Sequence, residues 1–208
     1  MTGPEQQSLF AEVGVEVAID ETFSTAVRHE LDGTSWVDVV PSWLTGHDAF
    51  MARLVDAVPF AQHQRWMYNQ LFDEPRLTAE YPEIADVPEP FVHVIADALS
   101  RQYRVPYDGL WLNLYRDQRD GTGWHGDWAT CKRSLCVVPV LSLGAPRRFL
   151  LKPRPGGRST GFTVGGGDLV VMGGRCQRDW LHSVPKQARP AGPRVSLNFE
   201  STVQKRPD

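Results

Sequence analysis

Cysteine is scarce in this chain of 208 residues. There are three, Cys131, Cys136 and Cys176, an odd number with no C-x-x-C pair. That pattern argues against a disulfide framework and against a structural zinc site, and it fits a reducing, cytoplasmic setting. Long apolar runs are also lacking: none approaches the roughly 20 residues a membrane span requires, so no membrane partner is expected. The opening stretch, Met1-Thr2-Gly3-Pro4-Glu5-Gln6-Gln7, has neither the basic start nor the apolar stretch of a secretory leader. Gly165-Gly166-Gly167 does not have the spacing of a dinucleotide-binding loop and precedes a strand pattern, so it reads as a turn. Internal repeats and low-complexity segments are absent.

What is present is ordinary for a soluble domain, with 41% hydrophobic and 23% charged residues. One domain is the default at this length, here residues 13–208 behind a loose tail at 1–12. The net charge of −3 is unevenly spread. From residue 146 onward there are 12 Lys/Arg against 4 Asp/Glu, leaving 10 against 21 in the first 145 residues, a balance of +8 against −11. A basic half is what contact with phosphates needs, and a solvated arginine-rich surface would look the same.

Two regions differ in pattern. Gly14 to Ile19 and, opening the region 35–108, Ser35 to Val40 alternate as short strands. Asp48 to Ala57 sets Phe50, Leu54 and Val55 near helical spacing, and Pro90 to Tyr103 does so with Phe91, Val94, Ile95 and Leu99. His63 to Leu71 is extended, and Pro75 and Pro82 bracket what reads as an irregular segment, Arg76 to Tyr81. Across 109–201 come short strands separated by Gly and Pro: Leu110 to Arg116, Ser134 to Leu143, Arg148 to Lys152, Asp168 to Met172, His182 to Pro185 and Arg194 to Ser201. Helices first and strands afterwards predict a mainly β fold, a jelly roll buttressed by two N-terminal helices.

Within that strand region, His125-Gly126-Asp127 is followed by His182, 55 residues after the aspartate. On an extended segment His125 and Asp127 project the same way. Two imidazoles and one carboxylate form the ligand set of a non-haem Fe(II) centre with open positions, whereas a closed structural zinc site wants four ligands, usually with cysteine. A lone H-x-D is a common chance pattern, and it is the ordered second His and the intervening strands that raise it. Arg194, 12 residues past His182, suggests a dicarboxylate cosubstrate in one open position, with Arg148 as a second candidate cation.

These residues, with Asn113-Leu114-Tyr115, Gly167-Asp168-Leu169, His182-Ser183-Val184-Pro185 and Arg194-Val195-Ser196-Leu197-Asn198-Phe199, resemble the AlkB family of Fe(II)- and 2-oxoglutarate-dependent dioxygenases, in particular its bacterial, DNA-repair-like branch. The segment from Arg65-Trp66-Met67-Tyr68 to Asp73-Glu74-Pro75-Arg76-Leu77 resembles that family's nucleotide-recognition lid, and the likeness covers roughly residues 35 to 201. It implies a double-stranded β-helix with Fe(II) held by His125, Asp127 and His182, no separate acid or base being needed beside the iron centre. Asn113, Tyr115, Arg194 and Ser196 would hold 2-oxoglutarate, the arginine by a bidentate pair. The implied reaction uses dioxygen to demethylate an N-alkylated base of a flipped or single-stranded nucleic acid, with Trp66, Tyr68, Tyr81 and His125 as stacking surfaces and Arg76 for phosphate. A monomer is expected. Two departures stand out. Glu200 lies six residues after Arg194, where many repair members carry a second arginine, and Trp128-Ala129 follow Asp127, where they often carry an acid. The alternatives keep the iron chemistry on a small molecule, a protein side chain or an RNA base, or make the chain a non-catalytic nucleic-acid-binding module.

Overall fold

The computed structural model describes residues 16–67, 69–127 and 131–208. The chain begins with β1 (Ala18–Ile19), β2 (Val27–Glu30), β3 (Ser35–Val40) and β4 (Leu44–Thr45), then helix α1 (His47–Ala57). A hairpin of β5 (Ala61–Met67) and β6 (Gln70–Tyr81) leads to helix α2 (Phe91–Tyr103). The rest is β7 (Gly109–Tyr115), β8 (Thr122–His125), β9 (Cys136–Gly144), β10 (Arg147–Pro153), β11 (Thr160–Val164), β12 (Leu169–Gly174), the one-turn helix α3 (Cys176–Asp179), β13 (Trp180–Val184) and β14 (Arg194–Glu200). The expected loose tail lies outside the described residues.

The larger sheet has the order β2-β3-β12-β9-β14-β7-β6-β5, the smaller β11-β10-β13-β8, and all pairings are antiparallel. They form a double-stranded β-helix with α1 and α2 against the outer face of the larger sheet. Alternation along each strand divides its side chains between two cores. Leu110, Leu112, Val195, Leu197 and Phe199 join Phe50, Leu54, Ile95 and Leu99 of the helices. Val138, Val140, Val170 and Met172 point the other way, toward Phe149 and Leu151 of the smaller sheet. β9 is buried along nearly its whole length because both its faces are covered. Among the described residues no helix is long and apolar enough to cross a membrane.

Several local expectations need correction. Arg76 to Tyr81 is regular strand within the twelve-residue β6. The register between β5 and β6 shifts between Gln62 and Gln64, opposite Glu74-Pro75-Arg76, and this irregularity absorbs the proline that had suggested a break. Helix α2 buries Val92, Ile95, Ala96, Ala98 and Leu99, so Ile95 and Leu99 pack as expected and Phe91 partly so, while Val94 is exposed and Val92 takes its place. In α1, Val55 is exposed and Phe50 and Leu54 carry the packing. Cys131 and Cys136 form a disulfide with Cα atoms 6.1 Å apart, leaving Cys176 free and buried. The odd count hid a pair whose loop folds back on itself.

Candidate active site

His125 ends β8 and stands opposite His182 of β13 in the antiparallel register, which brings their ring centroids to 4.2 Å. Between His182 and Val184 the register shifts, because β8 carries an extra residue there. Such irregularities re-aim side chains beside functional sites. Asp127 lies two residues beyond His125, past the strand. Its Oδ1 is 3.6 Å from Nε2 of His125 and its Oδ2 3.5 Å from Nε2 of His182. One ligand atom from each of the three residues lies within 4.8 Å of the others.

Each member is oriented by a neighbour. Nδ1–H of His125 donates to the Gly123 carbonyl at 2.8 Å, which leaves Nε2 as the lone-pair atom facing Asp127. His182 is buried and stacks on Phe149, and burial lowers its pKa to about 4, so its imidazole is neutral and able to coordinate at neutral pH. The Asp127 amide donates to Oε1 of Gln177 at 3.0 Å, and its carbonyl accepts from Cys131 N–H at 2.9 Å. Gly126 is closely packed: a Cβ there would press on the Arg154 guanidinium, which itself donates to the Gln177 and Arg178 carbonyls.

The three residues open onto a cavity of about 500 Å³. Its wall is the inner face of β7 and β14, whose register sets side chains in rows: Tyr115 beside Arg194, Asn113 beside Ser196 and Ser142, Trp111 beside Asn198. Arg194 is 1% exposed. Its Nη2 donates to Ser142 Oγ at 2.7 Å and its guanidinium lies over the Tyr115 ring, yet Nε and Nη1 have no hydrogen-bond partner. Burial pushes the Arg194 pKa down, with the neighbouring Tyr115 hydroxyl working against that fall and the charge of Arg147 adding to it. A buried cation with two idle donors is costly unless an anion completes it, and a carboxylate matches the planar fork. The donors therefore fit a dicarboxylate as well as a metal.

The other expected cosubstrate residues share this wall. Asn113 Nδ2 donates to Ser196 Oγ at 3.2 Å, and Tyr115 Oη pairs with Thr122 Oγ1 at 3.0 Å. The expected nucleic-acid residues are more scattered. Arg76 faces the cavity, with Nε donating to Asn113 Oδ1 at 2.9 Å and Nη2 3.0 Å from Glu74. Glu80 lines the cavity, so its neighbour Tyr81 turns to the opposite face and packs on the outer core. Trp66 stands out on the β5–β6 hairpin, 67% exposed. Tyr68, like Trp128 and Ala129, lies outside the described residues.

Sequence reasoning missed Trp111 and Glu80, although the period-two rows running through Asn113 and Arg76 lead to both. It also missed Lys205, which lies beyond the last strand where no periodicity could reveal it, and Arg147. Arg147 is wholly buried and donates to the Asp117 and Asp120 carbonyls, whereas its neighbour Arg148, the alternative to Arg194 as holder of the acid, is exposed.

A facial donor set and a buried arginine, at one cavity of a double-stranded β-helix, define a class. The chain matches the 2OG-Fe(II) oxygenase superfamily over residues 52–202 and belongs to it. Within that class its relatives are AlkB homologues. The human alpha-ketoglutarate-dependent dioxygenase alkB homolog 3 is 28% identical over 191 residues, covering 81% of this chain and 67% of that protein. The DNA oxidative demethylase ALKBH2 of Arabidopsis thaliana is 30% identical over 116 residues, 45% of this chain and 37% of that one. The solved structure of OsALKBH1 is similar in fold, with a TM-score of 0.61 at 16% identity, covering 84% of this chain and 100% of that chain. The chain is thus an AlkB-like 2-oxoglutarate-dependent dioxygenase, and its family implies Fe(II), 2-oxoglutarate and dioxygen.

Proposed function

We propose that this single dioxygenase domain, residues 13–208, oxidatively removes alkyl groups from nitrogen atoms of nucleic-acid bases. The observation that carries the reading is one cavity with His125, Asp127 and His182 converging at its mouth and a buried arginine offering unpaired donors deeper in. In this reading those three residues hold Fe(II), Arg194 anchors the distal carboxylate of 2-oxoglutarate, and Asn113, Tyr115 and Ser196 shape the wall beside it. Iron, 2-oxoglutarate and dioxygen together supply an oxidant that places one oxygen atom on the alkyl carbon and the other in succinate, with loss of carbon dioxide. The hydroxylated N-methyl group then leaves as formaldehyde, the N–C electron pair staying with the base nitrogen, which takes up the hydroxyl proton.

The residues of the chain contribute placement. The buried Tyr115, Val138, Val140 and Phe149 exclude water from the reacting end. Support for a nucleic-acid substrate comes from the relatives named for DNA demethylation, from the basic half after residue 146, and from the exposed Trp66, Leu71 and Phe72 of the β5–β6 hairpin, apolar surface suited to stacking on bases. A second reading, a hydroxylase of a small amine or an amine-bearing side chain, is favoured by one observation: Glu80 and Glu200 face the cavity. A non-catalytic module does not fit a member of this enzyme family that keeps all three donors together. Incubation with N-methylated single-stranded oligonucleotides is expected to release formaldehyde and succinate in equal amounts, with turnover falling steeply as salt rises. Consumption of 2-oxoglutarate without demethylation of any DNA or RNA oligomer would transfer the assignment to the amine hydroxylase.

A further inference from the structure

The one disulfide among the described residues lies beside the proposed metal centre. Cys131 and Cys136 are 5 apart in sequence and close a small ring between the donor Asp127 and β9, which Cys136 opens. A ring this small removes less freedom from the unfolded chain than a bridge between distant segments does. Nor is the chain a cysteine-dense scaffold in need of staples: it has three cysteines in 208 residues and two large apolar clusters. Stability is a poor account of this bond. Its position is a better one.

The main chain of Asp127 is held from two sides. Its N–H donates to Gln177 Oε1 at 3.0 Å, and its carbonyl accepts from the N–H of Cys131 at 2.9 Å. One of these two restraints therefore comes from a half-cystine. The far end of the ring is fixed as well. Cys136 pairs with Gly174 in the register of β9 with β12, and the next residue, Val137, is clamped by the Gln204 side chain at 2.6 and 2.9 Å. With the sulfurs joined, the donor's carbonyl is tied through Cys131 and Cys136 to a strand in the middle of the larger sheet. With the sulfurs apart, that restraint rests on main-chain hydrogen bonds alone. The pair lies just beneath the surface: both cysteines are buried, but Lys132 and Leu135, which flank them inside the ring, are exposed. Cys176, the remaining thiol, is buried in the same cluster and is of the structural, inert kind.

We propose that Cys131 and Cys136 are a reversible redox site, its reductant a dithiol and its oxidant a peroxide, that sets how firmly Asp127 is presented to the metal. On reduction, a thiolate of the dithiol attacks one sulfur and the S–S bond breaks. The reductant's second thiol then closes on the first and leaves as a disulfide. Two electrons and two protons have passed to the chain, and Cys131 and Cys136 both end as thiols. Peroxide reverses this in two steps. One cysteine takes an oxygen to become a sulfenic acid, with loss of water, and the other sulfur displaces that hydroxyl as a second water, closing the disulfide. The disulfide form holds the donor ready and the dithiol form loosens it, so the centre takes metal more tightly when the pair is oxidised.

The proposal rests on the reading that Asp127 is a metal donor, and its test keeps the two apart. Co(II), whose visible bands report its ligands, is titrated into the metal-free protein in two forms: after peroxide, and after a dithiol that is then removed. Thiols are counted in each form after unfolding. The count is expected to rise from one to three on reduction and to return to one with peroxide. Co(II) affinity should be about tenfold weaker in the reduced form, the size of loss typical when a contact supporting a metal donor goes. The double variant Cys131→Ser/Cys136→Ser should bind Co(II) like the reduced form whatever the treatment. A pair that stays closed in excess dithiol, or one that opens with no change in Co(II) affinity, is a staple, and either result would overturn the proposal. A wild-type protein that binds no Co(II) in either form removes the assignment of Asp127, and the proposal falls with it.

Discussion

The two faces of β7 and β14 are built to opposite standards. Toward the helices, Leu110, Leu112, Val195, Leu197 and Phe199 fill a core that is complete without any other molecule. Toward the cavity the same strands present Trp111, Asn113, Tyr115, Arg194 and Ser196, nearly as well buried but with idle donors on the arginine. One face contributes stability. The other gives some of it up to hold polar groups ready for ligands that are themselves charged.

The sharpest way to break this comparison is Arg194→Met. Removing one partner of a buried charge pair costs roughly 3–5 kcal/mol, so 2-oxoglutarate affinity of the Fe(II) protein should fall a hundredfold or more. The same change relieves an uncompensated buried cation, so the ligand-free protein should melt no lower than wild type. A marked loss of melting temperature would mean that Arg194 is structural. On the opposite face, Leu197→Ala should cost about 2–5 kcal/mol in urea unfolding, because Leu197 is fully buried, while 2-oxoglutarate affinity of the folded protein stays within about threefold. A large loss of affinity in that variant would show that the faces are coupled.

The smallest effect concerns pH. Burial lowers the His182 pKa from 6.5 to about 4, so the unfolded chain binds this proton more tightly than the folded one. The contribution is full above about pH 6.5 and is lost as pH falls toward 4, amounting to at most about 3 kcal/mol in the metal-free protein. Chemical unfolding across that window should show the loss in wild type and a flatter profile in His182→Gln. Identical profiles would place the titration elsewhere.

Much of this was legible because the strongest signals were local. β3 ran as its alternation predicted, α1 and α2 fell within a residue of their expected bounds, and His125, Asp127 and His182 converge as their order along the chain suggested. What stayed hidden depended on pairing. β8 is four residues interrupted by a register shift, too short to alternate, and β11 sits in a polar, glycine-flanked stretch. Leu77 to Tyr81 is strand because β7 pairs with it, whatever the prolines on either side suggest. Lys205 reaches the cavity through a turn whose shape is set by the side chain of Gln204.

The two imidazoles are not equivalent in how they are mounted. His182 rides on β13, which is paired on both sides, while His125 rides on β8, the outermost strand of its sheet, with 40% of its side chain exposed against 9% for His182. A strand at a sheet margin can lift away without unravelling what lies behind it. One donor is thus braced by a neighbour on each side and the other is mounted at a margin, so the two halves of this donor set rest on unequal foundations.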